Sequence, residues 1–318
     1  MNGHRSSSRV ARTGRVRCAS SPPGRRASLA ARLALLGMAT LVLPTRVAVA
    51  DDEDEVRRWP VDPDARVRIE IVSGDLEVEG WERAEVRLEL DDEDAVLDID
   101  ARADRFTIRT PRNRRAGETD LKLRVPSGVQ LEAKTVNGEI KVSGVDGTLD
   151  LDSANDDIEV RGAPREARLE TINASIDFEG RDSRVEARTV NGGIELSGVA
   201  GELVASTISG SIEAEAGEVE RVELKTLSGS IDLAARLSDG ARMRIKSFSG
   251  EVRLELPSDT SARFEVESFS GGIRNALPTT QSRTRGRDGH RLDFTTADGD
   301  ARVSIESFSG GVEIRAKD

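Results

Sequence analysis

The amino-acid sequence predicts an all-β protein: a right-handed parallel β-solenoid with about 18–21 residues per rung and an irregular N-terminal cap. From residue 131 onward a short phrase recurs, consisting of a hydroxyl residue, an apolar residue, Asn or Ser, usually Gly, any residue, then Ile or Val. Its glycine position falls at 138, 156, 174, 192, 210, 229, 250, 271 and 310, and the last interval is about two periods. Fixed spacing in this range is typical of solenoids, whose rungs bury their apolar faces against one another.

Within each repeat, apolar residues alternate with polar residues at a period of two, which indicates strands with one buried face. In one rung we expect Val185, Ala187 and Thr189 to point inward before the corner, and Ile194 and Leu196 after it. Stacked rungs place equivalent strands in parallel, and parallel connections are strongly biased to a right-handed crossover.

The corner between the two strands of a rung has its own chemistry. Glycine after Asn or Ser permits a positive φ at the bend. Stacked rungs should align the Asn and Ser side chains into a ladder of hydrogen bonds that satisfies backbone groups at the turn. This corner ladder comprises Asn137, Asn155, Asn173, Asn191, Ser209, Ser228, Ser249, Ser270 and Ser309. The Thr or Ser two positions earlier should do the same inside the solenoid.

The first fifty residues have the features of a cleaved secretory signal peptide. They contain nine Arg and no acidic residue, an apolar run from Leu33 to Leu43, and Ala-Val-Ala before the predicted cleavage after Ala50. The apolar run is too short to span a bilayer as a helix, so we expect no transmembrane segment in the mature chain. The remaining divisions are an acidic leader at 51–63, irregular rungs and a cap at 64–130, and regular repeats at 131–318 with a loop insertion near 279–291.

Composition narrows the possible functions. The whole chain has a formal charge of −11, and removing the nine Arg of the signal peptide leaves 38 basic against 58 acidic residues, or −20. Such a chain should repel nucleic acid and anionic membranes. Its mature part has no cysteine, only one histidine, His290, and no tyrosine. We therefore expect no nucleic-acid partner and no cofactor, and a location in the periplasm, on the cell surface or outside the cell.

Two segments resemble a known family. These are Val72-Ser73-Gly74-Asp75-Leu76-Glu77-Val78-Glu79-Gly80-Trp81 and Val125-Pro126-Ser127-Gly128-Val129, followed by the repeated corners. Over about residues 64–318 the chain resembles the bacterial putative-adhesin family, a domain of unknown function built from β-strand repeats. The resemblance implies a right-handed β-solenoid on an exported protein with no known catalytic residues.

An enzymatic solenoid is the first alternative. Eighteen residues equal three hexapeptides, the period of left-handed acyltransferase helices, but those need an apolar residue every six positions and a histidine base. Pectin-lyase-like helices have longer rungs and a cluster of carboxylates on one face, whereas the acidic residues here are spread over every rung. Both comparisons favour a protein that is not an enzyme.

One acidic column is a candidate cation site. The outward position between the two buried residues after each corner is occupied by Glu159, Asp177, Glu195, Glu213 and Asp232. Stacking would bring these carboxylates about 4.8 Å apart, where like charges repel. A bound cation or a basic partner would relieve the repulsion, and so would ordinary solvation and screening by neighbouring Arg and Lys.

The apolar corner residue forms a second candidate column. It comprises Val136, Ala154, Ile172, Val190, Ile208, Leu227, Phe248, Phe269 and Phe308. Strict alternation would point these side chains outward as a partner-binding stripe. A bend at the corner would instead bury them, and we expect burial because nine exposed apolar positions would promote aggregation.

Three functions follow from the sequence. The leading one is a non-enzymatic exported binding or scaffold module at the cell envelope, with adhesion as one use and a protein or glycan as partner. The second is envelope-stress sensing or regulation through a membrane protein. The third is a carbohydrate-active β-helix enzyme.

Overall fold

Every secondary-structure element that the structure describes is a β-strand. The computed structural model describes residues 14–15, 57–90, 96–111, 119–285 and 290–317, so the cleavage site after Ala50 and, apart from a two-residue strand, the predicted signal peptide lie outside the described residues. The strands are β1 Gly14–Arg15, β2 Arg57–Pro60, β3 Arg66–Glu70, β4 Leu76–Trp81, β5 Glu85–Leu90, β6 Asp98–Ala101, β7 Arg105–Arg109, β8 Leu121–Pro126, β9 Gln130–Lys134, β10 Ile140–Ser143, β11 Thr148–Asp152, β12 Ile158–Arg161, β13 Glu166–Glu170, β14 Ile176–Arg188, β15 Ile194–Ser209, β16 Ile212–Ser228, β17 Ile231–Ser249, β18 Val252–Pro257, β19 Ala262–Ser268, β20 Ile273–Asn275, β21 Gln281–Arg285, β22 Arg291–Thr296, β23 Ala301–Ser309 and β24 Val312–Lys317. Within these ranges no helix is long and apolar enough to cross a membrane.

Each rung contributes two strands, one before and one after the corner. We call the stack of strands before the corner the first face and the stack after it the second face. On the first face β9 pairs in parallel with β11 and β11 with β13, and on the second face β10 pairs with β12 and β12 with β14. Leu149 is paired with Ala167, Leu203 with Val222 and Val222 with Met243, at separations of 18, 19 and 21 residues. The prediction of an all-β parallel solenoid with this repeat length is confirmed.

The core lies between the two faces, as the alternation predicts. Val185, Ala187, Ile194 and Leu196 are at most 2% exposed. Burying a large aliphatic side chain stabilises the fold by about 1.5–3 kcal/mol, so the stability grows with each added rung. The strands β14 to β17 each continue from the second face of one rung into the first face of the next, with register shifts at the bend.

The first and last rungs of the chain do not lie at the ends of the solenoid. The last rung is inserted one place inward, because β23 pairs with both β17 and β19, and β24 pairs with both β18 and β20. The first rung is likewise inserted, with β3 between β7 and β9 and β4 between β8 and β10. The sequence order therefore does not give the spatial order: Gly310, not Gly271, lies next to Gly250.

Antiparallel strands cover the ends that this arrangement leaves. At one end β6 pairs with β7, β5 with β8 and β2 with β5, and β1 pairs with β6. At the other end β22 pairs with β19 and β21 with β22. The segment 279–291 is thus not simply a loop, since it contains β21 and reaches β22, while 286–289 lie outside the described residues. Covering an edge strand prevents it from pairing with another molecule.

Candidate binding face

The Asn residues of the corner ladder bond to one another along the solenoid. The side-chain amide of Asn155 donates to the side-chain oxygen of Asn137 at 2.7 Å, Asn173 donates to Asn155 at 2.9 Å, and Asn191 donates to Asn173 at 3.0 Å. The chain of amides holds the corners of four rungs in register. This geometry is that of a structural element.

The Ser half of the corner ladder is aligned but is not bonded in the same way. Ser209 is paired with Ser228, Ser228 with Ser249 and Ser249 with Ser309, and the Ser270 amide donates to the Phe308 carbonyl at 3.0 Å. In the described part of the chain no hydrogen bond joins these hydroxyls.

The hydroxyl residues that precede the corner are buried, and apart from Thr135 their hydroxyls bond to the backbone. The hydroxyl of Thr189 donates to the Ala174 carbonyl at 2.9 Å, and Thr207 donates to Gly192 at 3.0 Å. These two hydroxyls therefore satisfy turn carbonyls of the preceding rung, whereas Ser247 and Ser307 donate to a carbonyl of their own corner. These side chains are closed to ligands.

The five carboxylates of the acidic column lie in register on the second face. The pairs along the column are Glu159 with Asp177, Asp177 with Glu195, Glu195 with Glu213 and Glu213 with Asp232. Basic residues end the column on both sides: Lys141 is paired with Glu159, and Arg253 bonds to Asp232 at 3.1 Å. The repulsion is thereby confined to the middle of the column.

Asp177 shows the effect of that position. Burial raises the pKa of its carboxyl, and the neighbouring charges of Glu179 and Glu159 raise it further against the opposing effect of Arg161. A shallow groove of 340 Å³ follows the column between Glu139 and Glu213. Among the described residues, however, no three His, Cys, Asp or Glu side chains are grouped so as to hold a metal ion. A cation site on this column stays a prediction.

The apolar corner residues are exposed, contrary to our expectation that they are buried. They form a continuous apolar ridge along the solenoid, which in spatial order comprises Val72, Val136, Ala154, Ile172, Val190, Ile208, Leu227, Phe248, Phe308 and Phe269. Eight of these ten side chains are 44–70% exposed, and the other two, Ala154 and Val190, are partly buried. Alternation persists through the corner because the strand continues to the following Ser, as in β15, β16 and β17. The hydroxyl residue before the corner takes the inward place instead.

At its C-terminal end the apolar ridge becomes an aromatic ladder. The ring of Phe308 stacks between Phe248 and Phe269, with centroids 4.7 Å apart on both sides and ring planes within 4° of parallel. A groove of 1060 Å³ runs beside the ladder, and its other wall carries Lys246 and Glu306, which bond to each other at 2.7 Å. An apolar strip with a charged border is typical of a protein-interaction surface.

Comparison with known proteins establishes the family. The model of the Toastrack DUF4097 family matches residues 61–315, which is most of the chain. This chain belongs to the Toastrack DUF4097 family. No curated protein matches it.

Solved structures that match this chain include proteins from Clostridium and Parabacteroides species. A putative cell adhesion protein from Clostridium sporogenes is 11% identical, with 83% of this chain and 100% of that chain covered and a TM-score of 0.22. A putative adhesin from Parabacteroides merdae is 12% identical, with 82% and 95% covered and a TM-score of 0.26. A putative lipid binding protein from Parabacteroides distasonis is 11% identical, with 82% and 96% covered and a TM-score of 0.29. These TM-scores are too low to carry an argument about function.

This Toastrack chain has one further column that the sequence analysis missed. On the outer side of the first face, at the position six residues before the apolar ridge, four consecutive rungs carry arginine. We call this the arginine column, and in spatial order it comprises Arg221, Arg242, Arg302 and Arg263. The sequence shows that each arginine lies six residues before the ridge residue of its rung, which is Leu227, Phe248, Phe308 or Phe269. It does not show that Arg242 and Arg302 are neighbours.

Proposed function

We propose that this protein is a non-enzymatic, exported binding module at the cell envelope, and that the apolar ridge is the surface through which it binds a protein partner. The observation that carries the proposal is the exposure of the ridge. Phe269, at its end, is 70% exposed, in a chain whose other outward positions are largely charged. Keeping so many large apolar side chains in water is unfavourable, so a partner that covers them gains binding energy.

The shape of the surface favours a protein over a small ligand. The apolar ridge is long, straight and open, and the groove beside the aromatic ladder is a trough with no closed pocket. Stacked aromatic rings on a rigid solenoid lose little conformational entropy on binding, which suits them to be the centre of an interface. The paired charges of Lys246 and Glu306 form a polar border next to that centre. A partner with a complementary apolar stripe, such as the edge of another envelope protein, fits this surface.

Site-specific photo-crosslinking in the producing cells tests the proposal. A photoreactive residue at position 308 should give one reproducible adduct with an envelope or extracellular protein, and the added substitution Phe269→Ser should reduce its yield about tenfold or more. The matched control carries the photoreactive residue at position 195, on the second face, where no such adduct is expected. An adduct only with a second copy of this chain, or equal adducts from positions 308 and 195, would contradict the proposal.

A further inference from the structure

The arginine column is a local reversal of charge on an acidic protein. Parallel pairing places Arg221 opposite Arg242, Arg242 opposite Arg302, and Arg302 opposite Arg263. Strands on one face are about 4.8 Å apart, so the four positions span about 14 Å along the solenoid. Arg244 lies two residues along from Arg242 on the same outer side and adds a fifth positive charge. Like charges at this spacing repel unless an anion lies between them.

These arginines are not neutralised by the protein. Arg221 approaches Glu202 at 3.5 Å and Glu223 at 3.3 Å. Within the part of the chain that the structure describes, Arg242, Arg244, Arg302 and Arg263 make no ion pair, and Arg242, Arg302 and Arg263 are exposed. Three of the four members of the column therefore have free guanidinium groups.

The rest of the same face shows the opposite pattern. In the column two residues before the apolar ridge, Arg109 bonds to Glu70 at 3.1 Å, Lys134 bonds to Asp152 at 3.0 Å and Arg188 bonds to Glu170 at 3.0 Å. These three pairs neutralise one another across successive rungs, although the same column also contains like-charged neighbours such as Asp152 and Glu170. The arginine column differs from these pairs because three of its four guanidinium groups have no partner among the described residues, and it is the positive counterpart of the acidic column on the second face.

The column lies in a groove. A trough of 790 Å³ is lined by Arg221, Arg242, Arg244 and Arg302, with Glu220 and Glu223 at its border. A second trough of 430 Å³ continues from Arg302 to Arg263 and is also lined by Arg291, Glu265 and Asp293. Gly240, at the bend of β17, borders the first trough, and a side chain there would meet no atom within 4 Å. The site is therefore an open channel parallel to the solenoid axis, long enough for a polymer.

We propose that the arginine column binds a linear acidic polysaccharide that carries one carboxylate on each sugar residue. A guanidinium group binds a carboxylate through two parallel hydrogen bonds, and a polymer with regularly repeated carboxylates matches arginines repeated at every rung. An oligosaccharide of about four residues is needed to reach all four positions, given the strand separation. The residues of this site are distinct from the apolar ridge, so the inference does not depend on the ridge's partner.

Two other classes of polyanion fit less well. Single-stranded nucleic acid is bound through aromatic platforms as well as charge, and the aromatic residues nearest the column, Phe264 and Phe294, are buried at 3% exposure. An anionic bilayer would approach the whole acidic molecule and be repelled by it, whereas a single polysaccharide chain can lie along the column alone. Both classes serve below as arms of the test.

The inference is tested by calorimetric titration of the purified full chain in its exported form. The probes are oligogalacturonates of one, two, four and eight residues. We expect no measurable binding of the monomer, clear binding of the four- and eight-residue oligomers, and weaker binding as salt is raised. The double variant Arg242→Gln/Arg302→Gln should weaken binding of the eight-residue oligomer at least about tenfold. The matched control Arg168→Gln/Arg188→Gln removes the same two charges from the same face, where both arginines bond to Glu170, and should change the affinity by less than about twofold.

The results that would overturn the inference are separate from those that concern the ridge. Phe269→Ser should leave oligogalacturonate binding unchanged. If the two double variants lost the same affinity for the oligomer, the binding would depend on net charge and not on the arginine column. Absence of binding by the unsubstituted protein would refute the site. Tighter binding of single-stranded DNA or of phosphatidylglycerol vesicles, lost in Arg242→Gln/Arg302→Gln, would replace the polysaccharide by that ligand class.

Discussion

The glycine at each corner should be the most sensitive position of a rung, and Gly229 offers the sharpest test. Its φ is 147°, and a Cβ built there would lie 2.0 Å from the carbonyl oxygen of Gly210 in the preceding rung, where an ordinary contact needs at least 3.4 Å. Alanine at this position must therefore push two rungs apart by more than 1 Å. The displaced atoms belong to rigid backbone and cannot move aside as a flexible side chain would.

The cost can be worked from the contacts that would be lost. The Gly210 amide donates to the Ser228 carbonyl and the Gly229 amide to the Ser249 carbonyl, both at 2.9 Å. Each such bond contributes about 0.5–1.5 kcal/mol, and holding alanine in a backbone region suited to glycine costs about 1–3 kcal/mol. We expect Gly229→Ala to lower the free energy of unfolding by about 3 kcal/mol or more, a large share of the typical 5–15 kcal/mol.

Alanine substitutions at two other glycines separate the cost of backbone strain from the cost of the steric clash. Gly240 has a φ of 73° and open space around a built Cβ, so Gly240→Ala should cost only the conformational strain of about 1–2 kcal/mol. Gly272 also has open space and needs no positive φ, so Gly272→Ala should change stability by less than about 1 kcal/mol. Urea unfolding followed by far-ultraviolet circular dichroism measures all three. If Gly229→Ala were no more destabilising than Gly240→Ala, the close approach of successive corners would not limit the fold.

Three further predictions concern the register, the acidic column and export. Ile194→Asp should destabilise strongly because Ile194 is 2% exposed, whereas Glu195→Lys should be mild; equal shifts in melting temperature would show that the inward and outward positions are misassigned. The pKa of Asp177 is raised, so its charge opposes folding once the pH rises through that value, and Asp177→Asn should raise the melting temperature at pH 7 and lose that gain below the ordinary Asp pKa. If the higher melting temperature of Asp177→Asn persisted in acid, the effect would come from packing and not from charge. N-terminal sequencing of the exported protein should begin at Asp51, and a retained Leu33–Leu43 segment would exclude cleavage after Ala50.

Much of this structure is determined locally, so the sequence predicts it. The period of 18–21 residues and the alternation within each rung determine a parallel solenoid, because only stacking buries every apolar face at once. The inward position of Ile194 and the register of Asn137 with Asn155 follow from the same two periods. The acidic column also follows, since it lies one residue from a buried position in each rung.

The order of the end rungs was decided by tertiary structure. All repeats carry the same phase, so nothing in the phrase around Phe308 says whether β23 joins β17 or the edge of β19. Insertion of the last rung leaves β19 to pair with the antiparallel β22, and the covered edge is a property of the whole stack.

The two proposed binding surfaces depend on that order. The apolar ridge is exposed because the strands continue through the corner and give the inward place to the hydroxyl residue, whose bond to a turn carbonyl forms only in the stack. The aromatic ladder places Phe308 between Phe248 and Phe269, and the arginine column places Arg302 between Arg242 and Arg263. Residues about 60 positions apart become neighbours there through strand pairing between rungs, which a local pattern cannot encode.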